Sequence, residues 1–248
     1  MKHETVNTET NYERYSVITE KSPREMVMLR GRGCAWRRCR FCDYHTDFSK
    51  DEDANFALNK RELEKVTGAY HHLEVINSGS FIDLDSNTMS EIRRICVEKD
   101  IPIVHFECHW IHREEIPALK AFFAESNITV KVRIGVETFD YLFRESYLMK
   151  GIECDDPKEI ASYFDEVCLL QGIPGQSVAS MTEDIETGLA YFERVFVNIM
   201  VENSKAIKPD PRVRALFMES VYPVYKDNVR VDILLNNTDF GVGGLRDE

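Results

Sequence analysis

Apolar, β-rich runs recur along this chain with helical spacing between them, and that alternation leaves few architectures open. The runs fall at 26–29, 73–76, 101–106, 128–136, 167–170, 195–200 and 229–235. Segments 60–70, 86–99, 112–126, 139–149, 181–192 and 211–222 carry the period of amphipathic helices. Strands separated by such helices imply βαβ units and a parallel sheet, hence an α/β fold. Seven strands with six helices between them fit an open or partial barrel better than two domains. No linker rich in Pro, Gly or Ser interrupts the series, so residues 1–248 read as one domain. Within it, 1–25 reads as an N-terminal extension and 31–56 as a loop. A hydrophobic content of 43% over 248 residues supports one large core.

Charge narrows the partners. A net charge of −12 speaks against a broad grip on nucleic-acid phosphates, which needs a basic footprint. Arg30, Arg32, Arg37, Arg38 and Arg40 form a basic run confined to one loop, there either to face an anionic group or to be solvated. The polar start MKHETVNTETNYERYS lacks the apolar core of a signal peptide, and no stretch approaches 18 apolar residues. The cysteine count is seven, an odd number. Together these features predict a reduced, cytoplasmic protein without membrane or nucleic-acid contacts.

The basic loop also carries Cys34, Cys39 and Cys42, in the run Gly-Arg-Gly-Cys-Ala-Trp-Arg-Arg-Cys-Arg-Phe-Cys-Asp-Tyr-His. Three thiolates on one loop can hold a [4Fe–4S] cluster and leave one iron open to a chelating small molecule. Plant-type ferredoxins share the Cys-x4-Cys-x2-Cys spacing, with Cys96 available as a distant fourth ligand. His45 could complete a Cys3His zinc site. A disulfide hub is a third reading, disfavoured in a reducing compartment. Cys96, Cys108, Cys154 and Cys168 stand apart without paired spacing.

In βα barrels the active site lies at the carboxyl ends of the strands. Here the first run feeds directly into the cysteine loop. The following ends carry Asn77-Ser78-Gly79-Ser80, then His105-Phe106-Glu107-Cys108-His109, then Arg133-Ile134-Gly135-Val136-Glu137-Thr138. The later ones carry Gln171-Gly172-Ile173-Pro174-Gly175-Gln176, Asn198 through Asn203, and Asn236 through Gly241. Polar and glycine-rich residues therefore collect on one edge. A ferredoxin is far shorter and lacks this repeat.

On these residues the chain resembles the radical S-adenosylmethionine superfamily from about residue 26 to the last strand. The resemblance implies a partial (βα)6 TIM-type barrel whose first loop binds a [4Fe–4S] cluster. It also implies S-adenosylmethionine, chelating the open iron through its amino and carboxylate groups. The usual spacing there is Cys-x3-Cys-x2-Cys, so this loop has one extra residue. Phe41, just before the third cysteine, resembles the aromatic that packs on adenine. Asn77, Ser78 and Gly79 resemble the Gly-Gly-Glu turn that binds the methionine amino group, although the Glu is absent. Glu137 resembles the ribose-binding carboxylate, and Arg133 is a candidate for the methionine carboxylate. Gly172 and Ile173 resemble the stretch whose backbone touches adenine. The chemistry implied is one-electron cleavage of the sulfonium to methionine and a 5′-deoxyadenosyl radical, with Trp36, Phe41 and Tyr44 shielding the cluster.

The whole chain further resembles the queuine lyases, a family of small radical enzymes of queuine salvage. That resemblance implies a C–N lyase cleaving queuine to a 7-deazaguanine precursor, with a flavodoxin or ferredoxin as reductant. The deazaguanine N1–H and exocyclic amine match one carboxylate, for which Glu107 and Asp239 are candidates. His105, His109, Asn198 and Asn236 are candidates for the cyclopentenediol hydroxyls. A radical enzyme on another small molecule, a glycyl-radical activating enzyme, and a zinc or iron–sulfur electron carrier are the alternatives.

Overall fold

A computed structural model describes residues 13–43 and 46–235. Tyr44, His45, Asn236 and Asp239 lie outside the described residues. One eight-stranded sheet runs in the order β1 (Tyr15–Ile18), β2 (Arg24–Leu29), β3 (His72–Asn77), β4 (Ile103–Glu107), β5 (Thr129–Glu137), β6 (Glu166–Gln171), β7 (Arg194–Ile199) and β8 (Val231–Leu234). β1 pairs antiparallel with β2, and every later pair is parallel. Sequential parallel strands joined by crossovers curl into a partial TIM-type barrel. All seven expected strands are present. β1 comes from the segment expected as an extension; its four residues are too few to register as a periodic run.

The strands read as continuous apolar runs because both faces are buried. Alternate residues divide between the two sides. Val27, Leu29, Val75, Val104, Phe106, Val132, Ile134, Val167, Leu169, Val195 and Val197 pack outward in the main core. Met26, Glu74, Ile76, Glu107, Arg133, Gly135, Glu137, Cys168, Leu170, Phe196 and Asn198 face an interior cavity. The polar members of those runs thus share the inner register.

Helices α2 (Ser86–Glu98) and α5 (Val178–Tyr191) match the expected periods. α3 (Ile116–Ala124) is preceded by a 3-10 turn over Trp110–Glu115, because Pro117 suits only the first turn of an α-helix. Three helical segments differ from expectation. α1 runs Glu52–Leu63 and not 60–70: the Asp51 carboxylate accepts from Ala54 N–H at 3.0 Å and starts it early. At its far end, Thr67 and Gly68 donate backbone N–H to buried Glu25 at 2.7 Å each and leave the helix. Segment 139–149 makes only a π turn over Phe143–Tyr147, and α4 (Pro157–Tyr163) follows it before β6. Arg144, fully buried, ties that turn to the carbonyls of Ile152 and Cys154. Segment 211–222 divides into α6 (Pro211–Leu216), a π turn over Phe217–Val221 and α7 (Tyr222–Tyr225). Pro223 cannot donate to the preceding turn, so the helical ladder breaks there.

Candidate active site

The carboxyl ends of the strands open on a cavity of about 240 Å³. Cys34, Cys39 and Cys42 line it together with Phe41, Ser78, Gly79, Glu107, His109, Glu137, Lys150 and Asn198. The cysteine loop is pinned at its start, where Cys34 N–H donates to Ser78 C=O at 2.7 Å and Arg32 N–H to Asp83 C=O at 2.9 Å. Gly79 permits this approach. A Cβ there would press on Cys34 N and overlap the Asp83 carboxylate. Farther on, Arg40 N–H donates to Leu148 C=O at 3.0 Å. Phe41 packs with Leu148, Leu170, Ile173, Met200 and Ile207 in a small apolar cluster beneath the loop.

The basic run serves this loop. Arg37 Nε–H donates to Cys34 C=O at 2.6 Å and the guanidinium covers Phe48 at 4.4 Å. Arg38 covers Trp36 at 4.9 Å, Arg40 covers Tyr147 at 5.6 Å, and Arg30 bonds Asn55 at 2.8 Å. These arginines therefore order the loop by stacking and carbonyl contacts more than they present free charge.

None of the three loop cysteines is in a disulfide, and each is partly exposed to the cavity. Among the described residues, no three His, Cys, Asp or Glu side chains gather around a single ion-sized point. A cubane cluster suits that arrangement, since each of its cysteines takes a different iron. Cys96 is buried in the main core on α2 and does not line the cavity, so it is not placed as a fourth ligand to the loop cysteines.

Beneath the loop the cavity floor is an ion network. Arg133 Nη1 lies 2.6 Å from Glu74 Oε1, and its Nη2 lies 3.4 Å from Glu166 Oε2. Arg24 also pairs with Glu74. His105 Nδ1 is 3.2 Å from Glu166. Phe196 stacks 3.4 Å from the Arg133 guanidinium. Burial opposes the charge on Glu74, yet Arg133 and Arg24 hold it well below the usual carboxylate range. Arg133, expected at the methionine carboxylate, thus has its Nη atoms engaged at the floor.

Glu107 is different. Its Oε1 stands 3.7 Å from Arg133 Nη1, outside hydrogen-bond range, and its side chain keeps 30% exposure toward the cavity. Burial pushes its carboxyl up to about 7 against the pull of Arg133.

Glu137 sits at a β-bulge, where the pairing with β6 shifts between Gly135 and Glu137. Its φ of +70° is a strained conformation for a side chain with a Cβ, held here at the strand end where it aims the carboxylate inward. Lys150 Nζ pairs with it at 2.6 Å. His109 also lines the cavity. Burial pushes its ring down to about 4, so it is neutral near pH 7. Its Nε2 meets Lys150 C=O at 2.8 Å and its Nδ1 meets Ile111 N–H at 3.3 Å, which assigns the proton to Nε2.

The remaining predicted residues divide. Asn198 lines the cavity, donates to Cys168 Sγ at 2.9 Å, and has an unpartnered buried Oδ1 among the described residues. Ser78 Oγ is likewise buried and unpartnered on the cavity wall. Asn77 stands behind it and donates to Ser80 C=O at 3.0 Å. Ile173 backs Phe41, while Gly172 abuts Arg214; neither lines the cavity. His105 belongs to the floor network and not to the cavity wall. Several cavity residues had been given no role, among them Lys150, Cys108 and Cys168. The two cysteines stand at inner-register or strand-end positions, a signal readable from the alternation of their strands. Lys150 lies in a loop and gives no such signal.

Three thiols over the carboxyl rim of a partial βα barrel are the architecture of the radical S-adenosylmethionine superfamily. No protein-family model matches the sequence, and no curated protein does. Among solved structures, a queuine lyase from Clostridium spiroforme, bound to SAM and queuine, is similar at 41% identity with a TM-score of 0.88. The similarity covers 94% of this chain and 100% of that one. SuiB of Streptococcus suis is similar at 12% identity with a TM-score of 0.55, over 84% of this chain and 49% of its own, a likeness of fold alone. The chain belongs to the queuine lyase family.

Proposed function

We propose that this chain is a radical S-adenosylmethionine lyase that cleaves queuine to a 7-deazaguanine precursor. The observation that carries this reading is the 41% identity to a queuine lyase over nearly the full chain. The cavity adds to it, lined by three cysteines and by the Glu107 carboxylate, whose nearest recorded cation stands at 3.7 Å. When bound, a [4Fe–4S] cluster with S-adenosylmethionine would supply one-electron radical chemistry. Cys34, Cys39 and Cys42 would hold the cluster, and Phe41 would flank the cofactor. Glu137 would accept the ribose hydroxyls, and Ser78 Oγ would accept from the methionine amino group. Glu107 would accept from the deazaguanine N1–H and exocyclic amine, a bidentate match of two donors to one carboxylate. Asn198 Oδ1 would accept from a cyclopentenediol hydroxyl. His109, neutral, orders the wall beside them and carries no charge into the site. The apolar packing of Phe41 against Ile173 would help exclude water beside the cysteine loop.

No helix of the described residues is long and apolar enough to cross a membrane. Seven cysteines outside any disulfide favour a reducing compartment such as the cytoplasm, where a flavodoxin or ferredoxin would supply the electron. The test is anaerobic reconstitution with iron and sulfide, reduction, and incubation with S-adenosylmethionine, with and without queuine. Queuine-dependent formation of 5′-deoxyadenosine together with a 7-deazaguanine product is the expected result. Deoxyadenosine release that queuine fails to stimulate would remove the lyase reading.

A further inference from the structure

The cavity contains a cation that the floor network does not use. Lys150 follows the π turn over Phe143–Tyr147, and its side chain is 12% exposed. Its ammonium lies 2.6 Å from Glu137 Oε1 and 5.7 Å from the centre of the Phe41 ring, on a wall shared with Cys39 and Cys42. Such a buried cation needs a reason to be there, because desolvation opposes it.

Three contacts seat it. Trp36 Nε1–H donates to Met149 C=O at 2.8 Å. The Trp36 ring lies against Gly151, whose φ is +75° and where a Cβ would overlap the indole. His109 Nε2–H donates to Lys150 C=O at 2.8 Å and stacks on Trp36 with centroids 5.6 Å apart and planes 20° apart. Trp36 is one of the four residues between Cys34 and Cys39, in the gap that exceeds the usual superfamily spacing by one. Trp36 within that gap clamps segment 149–151. Burial works against the ammonium, and the Glu137 carboxylate at 2.6 Å compensates it.

We propose that Lys150, seated by Trp36 and His109, is a positioning residue that fixes the Glu137 carboxylate and eases electron entry into the cysteine-bound cluster. The proposal rests on the reading of the cysteine loop as a cluster site. Reduction adds negative charge to the cluster, and a positive charge nearby in a poorly hydrated wall stabilises the reduced form more than the oxidised one. Glu137 offsets part of that charge in return for its own fixed orientation.

The experiment is a reduction titration of the reconstituted protein, followed by electron paramagnetic resonance, without queuine. It compares wild type, Lys150→Met, Lys150→Arg and Trp36→Ala at matched cluster content. Lys150→Met is expected to shift the reduction equilibrium at least tenfold toward the oxidised cluster, which is 59 mV for a one-electron couple. Lys150→Arg keeps the charge and should stay within threefold of wild type. Trp36→Ala leaves Lys150 in the chain but frees its loop, and should move the potential in the same direction as Lys150→Met. An unmoved potential in Lys150→Met overturns the proposal. Should that variant fail to take up a cluster, an unmoved potential in Trp36→Ala overturns it instead. A wild-type chain that builds no cluster removes the underlying reading, whereas a sound cluster with unmoved potentials removes only the role of Lys150.

Discussion

Glu107→Gln isolates the recognition of the base. The carboxylate lines the cavity, and its ion pair with Arg133 is a loose one at 3.7 Å, so a ligand does not first have to break a hydrogen bond from that cation. Two donors on the deazaguanine edge would each make a charge-assisted bond, worth about 1.5–3 kcal/mol apiece. Glutamine keeps one acceptor and turns an N–H toward the second donor. The loss is about 3 kcal/mol, or about 100-fold in the Kd for queuine. The wild type should also bind with a characteristic pH dependence. Because burial pushes the Glu107 carboxyl up to about 7, the acid form dominates below that value and the required carboxylate above it. Binding should therefore weaken as pH falls through 7, by about tenfold per unit on the acid side, and level off above it. Glu107→Gln has no such titration and its Kd should be flat. Isothermal titration calorimetry between pH 5.5 and 8.5 reads both effects, with cluster and cofactor contents matched. A variant within threefold of wild type at pH 8, or a wild type whose Kd ignores pH, would refute the assignment.

Substituting Ala at Cys34, Cys39 or Cys42 should abolish deoxyadenosine formation, while Cys96→Ala, in the core and off the cavity, should retain it; product mass spectrometry distinguishes them. Gly79→Ala places a methyl group against Cys34 N and the Asp83 carboxylate, and should lower iron content on reconstitution without unfolding the barrel, read by iron analysis beside circular dichroism. Glu74→Gln leaves Arg24 and Arg133 buried without their shared carboxylate and should cost about 3–5 kcal/mol in urea unfolding at pH 7. Glu74 is held below the ordinary carboxylate range, so its contribution in the wild type is complete above about pH 4 and fades only in stronger acid.

The strands were legible because a sheet buried on both faces writes itself as uninterrupted apolar runs. The cysteine loop was legible because a cluster fixes ligand spacing within one short segment. α1 was not, since its inward face is polar: Asn59 meets the Arg30 N–H and C=O at 2.7 and 2.9 Å, and Asn55 meets the Arg30 side chain. A helix that buries amides against an arginine carries no hydrophobic period. Glu107 and Asn198 could be read from their places at strand ends. The engagement of Arg133 could not, because its partners Glu74 and Glu166 come from two other strands and meet only after the sheet curls. Lys150 was hidden for a similar reason. Its position depends on Trp36 meeting Gly151, a contact across more than a hundred residues that no local pattern encodes.

The inner register explains why one carboxylate is left over. Along β3, β5 and β6 it places Glu74, Arg133 and Glu166 within reach of each other, and β2 adds Arg24. Those two cations and two anions compensate at the floor, so a carboxylate entering from β4 finds no cation free to bond it closely. Glu107 is that carboxylate, opposite Arg133 in the β4–β5 register. Burial without a close cation is what raises its proton affinity, and it is also what leaves both oxygens open to a ligand. Near the cysteines the balance differs: Lys150 and Glu137 form a single pair beside thiols that become anionic when they bind iron. The barrel thus keeps its structural charges paired below, and holds its responsive charges at the rim, where a base edge, a ribose and an electron would each meet one.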